Sequence, residues 1–170
     1  MAKTAKPKVT KPKVAKAKPA KPKTVKPKTA KPKAARAPRR QYAALPWRRS
    51  EVGLEILLIT SRETRRWVIP KGWGKKNEPA TIAAAREALE ETGVAGRVAE
   101  TPLGQYRYQK LFKSGRIQRL KVAVYALEVV HEHAEWPEMN IRDKLWISLA
   151  EGAGLVDEPE LRLLIAAFRP

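Results

Sequence analysis

Three glutamates, Glu87, Glu90 and Glu91, crowd into five consecutive positions of a stretch whose apolar spacing is helical. Counted from Glu78 at about 100° per residue, they fall near 180°, 120° and 220°, a sector about 100° wide. Ile82, Ala85 and Leu89 fall near 40°, 340° and 20° on the same count. The pattern therefore predicts a helix over residues 78–92, with that apolar stripe packed inward and the carboxylates on the opposite face. Like charges at i,i+4, as Glu87 and Glu91 are, cost roughly a few tenths of a kcal/mol. A hard divalent cation turns that repulsion into binding, because Mg²⁺ and Ca²⁺ prefer oxygen ligands. Taken alone, such a run is better explained by a solvated acidic face with Arg86 and Glu90 as an i,i+4 ion pair.

Other chemistries are closed off. The 170 residues include no cysteine, which excludes a thiolate nucleophile, a zinc–thiolate site and a disulfide framework. There is no recognisable Ser–His–Asp order. His131 and His133 have the spacing of a metal-binding His-x-His, but with Glu132 and Glu135 around them they read as a solvated loop. Apolar runs such as Ile56-Leu57-Leu58-Ile59 are too short to cross a bilayer, and the basic N-terminus leads into no apolar signal segment. A soluble, cytoplasmic protein in a reducing compartment is the expectation.

The elements that must position the glutamates are legible after Arg40. Residues 42–47 and 54–60 read as strands, the second apolar enough for a sheet interior. Residues 67–69 form a short strand stopped by Pro70 and Gly72. Asn77 reads as the helix cap, Pro79 fits the first turn, and Gly93 can take the left-handed position at the end. Strands near residues 97–109, 118–130 and 144–147 follow, and Leu161, Leu164, Ile165 and Phe168 after Pro159 suggest a closing amphipathic helix. Strands interrupted by two helices predict an α+β sandwich in residues 41–170.

The residues ahead of the helix add specificity. Gly72-Trp73-Gly74-Lys75-Lys76-Asn77-Glu78, followed by Arg86-Glu87-Ala88-Leu89-Glu90-Glu91-Thr92-Gly93-Val94, satisfies G-x5-E-x7-R-E-U-x-E-E-x-G-U, where U is bulky and apolar. Only Ala88, a small residue, departs from it. The segment resembles the Nudix box. That resemblance implies a Nudix-type α/β/α sandwich with a mixed sheet, and hydrolysis of a phosphoanhydride with Mg²⁺ or Mn²⁺. It implies that Glu87, Glu90 and Glu91 hold the metal with the backbone carbonyl of Gly72, that Arg86 orients a glutamate, and that Glu78 supports the loop. Either Glu87 or Glu90 would take the proton from water; a glutamate outside the box can also serve, and Glu132, Glu135 and Glu138 are the candidates. Metal ions in such a site neutralise phosphate charge and activate water.

Within the family, most of residues 41–170 resembles the diphosphoinositol polyphosphate phosphohydrolase subgroup, which also cleaves diadenosine polyphosphates. The resemblance rests on Ala43-Ala44-Leu45-Pro46-Trp47-Arg48, Leu57-Leu58-Ile59-Thr60-Ser61-Arg62, Trp67-Val68-Ile69-Pro70-Lys71-Gly72-Trp73 and Asn140-Ile141-Arg142. It implies phosphate contacts from Ser61 and Arg62, from Arg40 (less securely Arg39) and from Arg142, with Lys71 entering the box as in members that read P-K-G. Independently, Arg62, Arg65, Arg66, Lys71, Lys75 and Lys76 flank the glutamate segment, and Lys110, Lys113, Arg116 and Arg119 lie on a hairpin. Basic groups ringing an anionic metal site suit a ligand with many phosphates. Trp73, Tyr106 and Tyr108 are candidates to stack a base.

Charge divides the chain. The formal charge is +19, yet residues 1–40 carry 16 basic residues and no acid, leaving 20 basic against all 17 acidic residues beyond. From Lys6 to Ala35 the sequence runs KPKVT, KPKVA, KAKPA, KPKTV, KPKTA, KPKAA. Repeated proline and like charge predict a disordered, extended tail. Such an arm binds nucleic acid or polyphosphate by counterion release, with nucleoid association one consequence, or it merely solubilises. The competing functions are another Nudix activity (on ADP-ribose, the nucleotide pool or RNA 5′ ends) and a polyanion-binding protein that acts mainly through this tail.

Overall fold

The computed structural model describes Met1, residues 40–112 and residues 114–170. The predicted basic tail, apart from its two ends, and Lys113 lie outside the described residues.

Alternating side chains build a sheet covered on both faces. The strands are β1 (Gln41–Ser50), β2 (Gly53–Thr60), β3 (Trp67–Val68), β4 (Lys71–Trp73), β5 (Val94–Val98), β6 (Gly104–Leu111), β7 (Ile117–Glu132) and β8 (Lys144–Ser148). The order β3-β2-β1-β7-β5 forms the spine, with β4 on β1, β6 on β7 and β8 on β2. β1 and β7 run parallel and every other pair is antiparallel, so the sheet is mixed. Along β1, Ala43 and Leu45 enter one core and Ala44 the other; along β2, Ile56 and Leu58 oppose Leu57; along β7, Val122, Val124 and Ala126 oppose Tyr125 and Leu127. This is the period of two that a strand imposes.

Helix α1 (Ala80–Thr92) covers one face through Ala84 and Ala88, while α2 (Leu149–Leu155) and α3 (Pro159–Ala167) close the other through Ala153, Leu161 and Ile165. The result is the expected α/β/α sandwich. No helix among the described residues is long and apolar enough to cross a membrane.

Five local features differ from the sequence expectation. The helix begins at Ala80 with Pro79 at the cap position, and Asn77 instead occupies a turn at φ 61°. Residues 97–109 are parts of two strands, β5 and β6, and α2 is an additional helix. The strand β3 stops before Pro70 as expected, but pairing resumes in β4, which bonds to β1 with Tyr42 opposite Gly72.

The fifth, the facing of α1, matters most. Ile82 and Leu89 face out, 56% and 40% exposed, while Ala83, Ala84, Glu87, Ala88, Glu91 and Thr92 are buried. The helix packs through alanine methyls, whose small size brings its backbone close to the sheet and carries the carboxylates in with it. Gly93 ends the helix as expected, left-handed at φ 75°, its N–H donating to Leu89 O at 3.0 Å.

Candidate functional site

The short strand β4 brings Lys71, Gly72 and Trp73 under the inward face of α1. A Cβ on Gly72 would lie 2.2 Å from Cδ, Oε1 and Oε2 of Glu87, so the absent side chain is the seat of that carboxylate. Glycine is required here for close approach rather than for an unusual φ.

Arg86 ties the loop to the helix. Its Nε donates to Glu78 Oε1 at 2.8 Å and its Nη2 to Glu78 Oε2 at 3.1 Å, a bidentate grip. Nη2 also reaches Trp73 O at 3.0 Å, and Nη1 donates to Glu87 Oε1 at 2.7 Å and Glu90 Oε2 at 3.2 Å. Glu78 in turn accepts from Lys75 N–H at 2.8 Å, closing the turn that precedes α1. The Arg86 hydrogen bonds, helped by Lys75 N–H, hold the Glu78 carboxyl down at about 2. Arg86, expected to orient a glutamate, thus touches Glu78, Glu87 and Glu90, and Glu78, expected to support the loop, bonds the Lys75 N–H within it.

Glu91 is held from the other side. Its Oε2 accepts from Lys71 N–H at 3.0 Å, and its Oε1 accepts from Arg142 Nη2. Burial pushes Glu91 up to about 7 against the pull of Arg142 and Lys71, and burial likewise raises Glu87 against Arg86. Glu90 is the most open of the three: its side chain is 42% exposed, against 11% for Glu87 and 9% for Glu91.

Arg142 is buried and fully engaged, donating from Nη1 to Thr60 O at 2.9 Å, from Nε to Glu138 and from Nη2 to Glu91. As placed it positions a glutamate and offers no free fork to a phosphate, a difference from the expected contact. Glu138 also lies 3.6 Å from Arg62 Nη1 and its charge raises both Glu87 and Glu91. Among the three glutamates outside the box it is Glu138 that joins the network. Glu132 is taken by Lys144 Nζ at 2.5 Å and Trp146 Nε1 at 3.3 Å, and Glu135 is exposed. The signal that singles out Glu138 is its distance of four residues from Arg142 across a turn.

A cleft of about 520 Å³ opens beside Glu91. Ser61, Arg62, Lys71 and Arg142 line it, with Gln41, Arg66, Tyr108, Lys110 and Glu158. Ser61 Oγ shares a 2.7 Å hydrogen bond with Thr64 Oγ1. Lys71 remains partly open, while its ammonium sits 5.7 Å from the Tyr108 ring centroid and burial pushes it down to about 8. Arg40 is exposed and does not line this cleft; its carbonyl accepts from Gly74 N–H at 3.3 Å. Of the remaining flanking cations, Arg65 pairs with Asp143, and Arg66 pairs with Asp157 and Glu158. Tyr106, 1% exposed, is core and not a stacking platform. Tyr108 lines the cleft with its hydroxyl donating to Gln41 Oε1 at 2.7 Å. The rings of His131 and His133 meet edge-on at 4.3 Å, both exposed.

The donor set suits a hard cation: three carboxylates and a strand carbonyl, with two of the carboxylates raised by burial and one cradled on bare backbone. In this arrangement the protein's own cations hold them, and among the described residues no three acidic or imidazole groups converge as a ready cage.

The sequence of the NUDIX domain matches residues 38–168. The chain belongs to the Nudix family. It is 36% identical over 109 residues to Nudix hydrolase 13, mitochondrial, of Arabidopsis thaliana, covering 60% of this chain and 53% of that protein. It is 30% identical over 106 residues to the diphosphoinositol polyphosphate phosphohydrolase NUDT4B of Homo sapiens, covering 61% and 55%. The chain thus spans about half the length of these curated relatives. Its fold is that of a C. elegans Ap4A hydrolase in a binary complex, with a TM-score of 0.56 at 20% identity over 75% of this chain and 93% of that one.

Proposed function

We propose that this protein is a divalent-metal-dependent pyrophosphohydrolase that cleaves a phosphoanhydride in a polyphosphorylated small molecule, either a diphosphoinositol polyphosphate or a dinucleoside polyphosphate. The observation that carries the reading is the turned helix: Glu87 and Glu91 are buried, against hydrophobic expectation, on a glycine strand beside a basic cleft. Burying carboxylates is costly unless they are paired or bind a cation.

Glu87, Glu90 and Glu91 with the Gly72 carbonyl would hold Mg²⁺ or Mn²⁺, which supplies charge neutralisation on the phosphates and a lowered pKa for water. The chain's own residues do the positioning. Arg86 locks Glu87 to the loop, and Arg142 with the Lys71 amide fixes Glu91. Glu90, the most open carboxylate, is suited to accept a proton from a water that attacks phosphorus in line. Arg62 and Lys71, in the cleft wall, face the negative charge that builds on the leaving phosphate. Likeness to the human phosphohydrolase over much of the domain supports the substrate class.

Glu91→Gln tests the reading. Glutamine keeps an acceptor for Lys71 N–H while removing the charge, so hydrolysis is lost at every Mg²⁺ concentration with the fold intact. Wild-type turnover in that variant would refute the assignment. A substrate panel that found ADP-ribose cleaved and dinucleoside penta- and hexaphosphates untouched would reassign the substrate within the family.

A further inference from the structure

The hairpin of β6 and β7 carries charge and apolar surface that the hydrolytic site does not use. Residues 101–127 hold six basic residues, Arg107, Lys110, Lys113, Arg116, Arg119 and Lys121, and no acidic one. β1 meets β7 from Val122 onward, so residues 107–121 extend past β1 as a two-stranded ribbon. Its base is pinned to α3, where Arg107 N–H donates to Glu160 Oε2 at 2.6 Å and Arg107 Nη1 to Glu160 Oε1 at 2.5 Å. Its turn is closed: Phe112 N–H donates to Arg116 O at 2.9 Å, and Gly115, left-handed at φ 77°, donates to Phe112 O at 2.8 Å. Leu111 and Ile117 oppose each other on the last rung before that turn, 61% and 63% exposed. Arg116, Arg119 and Lys121 beside them are exposed, and among the described residues no carboxylate pairs with any of the three.

Two bulky aliphatic side chains on one rung leave apolar surface in water, and the unneutralised cations around them repel one another. A partner that accepts both must be apolar and anionic at once. A second copy of the chain would bring two like-charged hairpins together. A nucleic-acid strand would meet the charges but leave Leu111 and Ile117 bare, and it needs ring faces on which to stack its bases. The rings of the hairpin are already engaged by cations: Phe112 by Lys110 at 5.7 Å and Arg116 at 5.1 Å, and Tyr108 by Lys71 at 5.7 Å. The surface of an anionic bilayer meets both demands, taking aliphatic groups at its acyl boundary and cations at its phosphates.

We propose that the β6–β7 hairpin is a peripheral membrane-docking element: Leu111 and Ile117 enter the headgroup region of an anionic phospholipid bilayer, and Arg116, Arg119 and Lys121 lie against the lipid phosphates. The closed turn presents these residues in place, so docking has little backbone to order. Two aliphatic side chains alone would hold only weakly, which is why the cations are needed.

The chain has no cysteine, so Ser114→Cys places a single nitrobenzoxadiazole label in the turn, and Val52→Cys places one beyond the far end of β1 as a control. Each full-length labelled protein is mixed with vesicles of phosphatidylcholine, alone or with phosphatidylglycerol. Because residues 1–40 are basic enough to hold the chain on an anionic surface by themselves, the environment of the label is read instead of sedimentation. On anionic vesicles the Ser114 label brightens, shifts to the blue and is quenched by nitroxide-labelled lipid, while the Val52 label stays as in water; neutral vesicles change neither. With Leu111→Ser and Ile117→Ser together, the lipid needed for half the change rises about tenfold or more. With Arg119→Gln or Lys121→Gln it rises about fivefold for each cation removed. A Ser114 label that stays in water on vesicles, two labels that respond alike, or a response that survives loss of both aliphatic side chains would each overturn the proposal. So would a label that ignores lipid and responds to a single-stranded oligonucleotide, or one that responds to protein concentration without lipid. The two labels compared in the otherwise unchanged chain decide alone if a hairpin variant does not fold, and none of these readings depends on turnover.

Discussion

Gly72→Ala is the sharpest perturbation the site offers. The added methyl would lie 2.2 Å from all three carboxyl atoms of Glu87, and ordinary contact needs about 3.4 Å, so the carboxylate must retreat by about 1 Å. What gives way is the end of a flexible side chain, and the glycine has no left-handed φ to lose. The fold therefore survives. Disrupting the Glu87–Arg86 hydrogen bond costs about 1.5–3 kcal/mol, partly offset by about 0.4–1 kcal/mol from a less flexible unfolded chain. Net destabilisation of about 1–2 kcal/mol is expected, or about 3–8 °C in melting temperature for a domain of this size. Activity suffers far more, since displacing a positioned group by about 1 Å can cost about 100-fold. The assay pairs kcat/KM on a dinucleoside polyphosphate with thermal unfolding of the same preparation. Activity within threefold of wild type would refute the claim that the seat of Glu87 is part of the machinery. Global unfolding would refute the claim that only a side chain has to move.

Two further predictions probe separate parts of the chain. Because α1 is turned inward on its alanines, Leu89→Gln should change stability by less than about 0.5 kcal/mol, whereas Ala88→Leu should overpack the sheet and cost about 1–3 kcal/mol, as read by denaturant midpoints; the reverse ranking would mean the helix orientation is wrong. Deleting residues 1–38 should leave turnover of small substrates nearly unchanged and abolish salt-sensitive retention on DNA or RNA columns, and equal retention with and without the segment would show that the basic tail is not the polyanion-binding element.

Period-two alternation made the sheet legible, because strands covered on both faces expose their geometry through residues such as Leu57 between Ile56 and Leu58. The glycine and charged positions around α1 made the family legible as well. The orientation of α1 was not, since large apolar side chains mark a buried face only when packing needs bulk. Here the sheet supplies the bulk through Leu57, Tyr125 and Leu127, and the helix contributes Ala84 and Ala88. Ala88, a departure from the motif, is thus a packing feature with no exposed surface. The contacts of Arg142 with Thr60 and Glu91, and the burial of Glu158 against Arg66, join elements 51 to 92 residues apart, which local spacing does not encode; only the four-residue step from Glu138 to Arg142 was local. Strand β4 was hidden by Gly72, whose usual meaning as a terminator is overridden by pairing with β1.

The central claim is that Glu87, Glu90 and Glu91 are gathered for a divalent cation. Anomalous diffraction from crystals soaked in Mn²⁺ with a non-hydrolysable polyphosphate tests it most directly. A manganese peak ligated by those carboxylates beside the Gly72 carbonyl is expected in the wild type, and no such peak in Glu91→Gln. A well-occupied ligand in the cleft with no manganese among the three glutamates would contradict it.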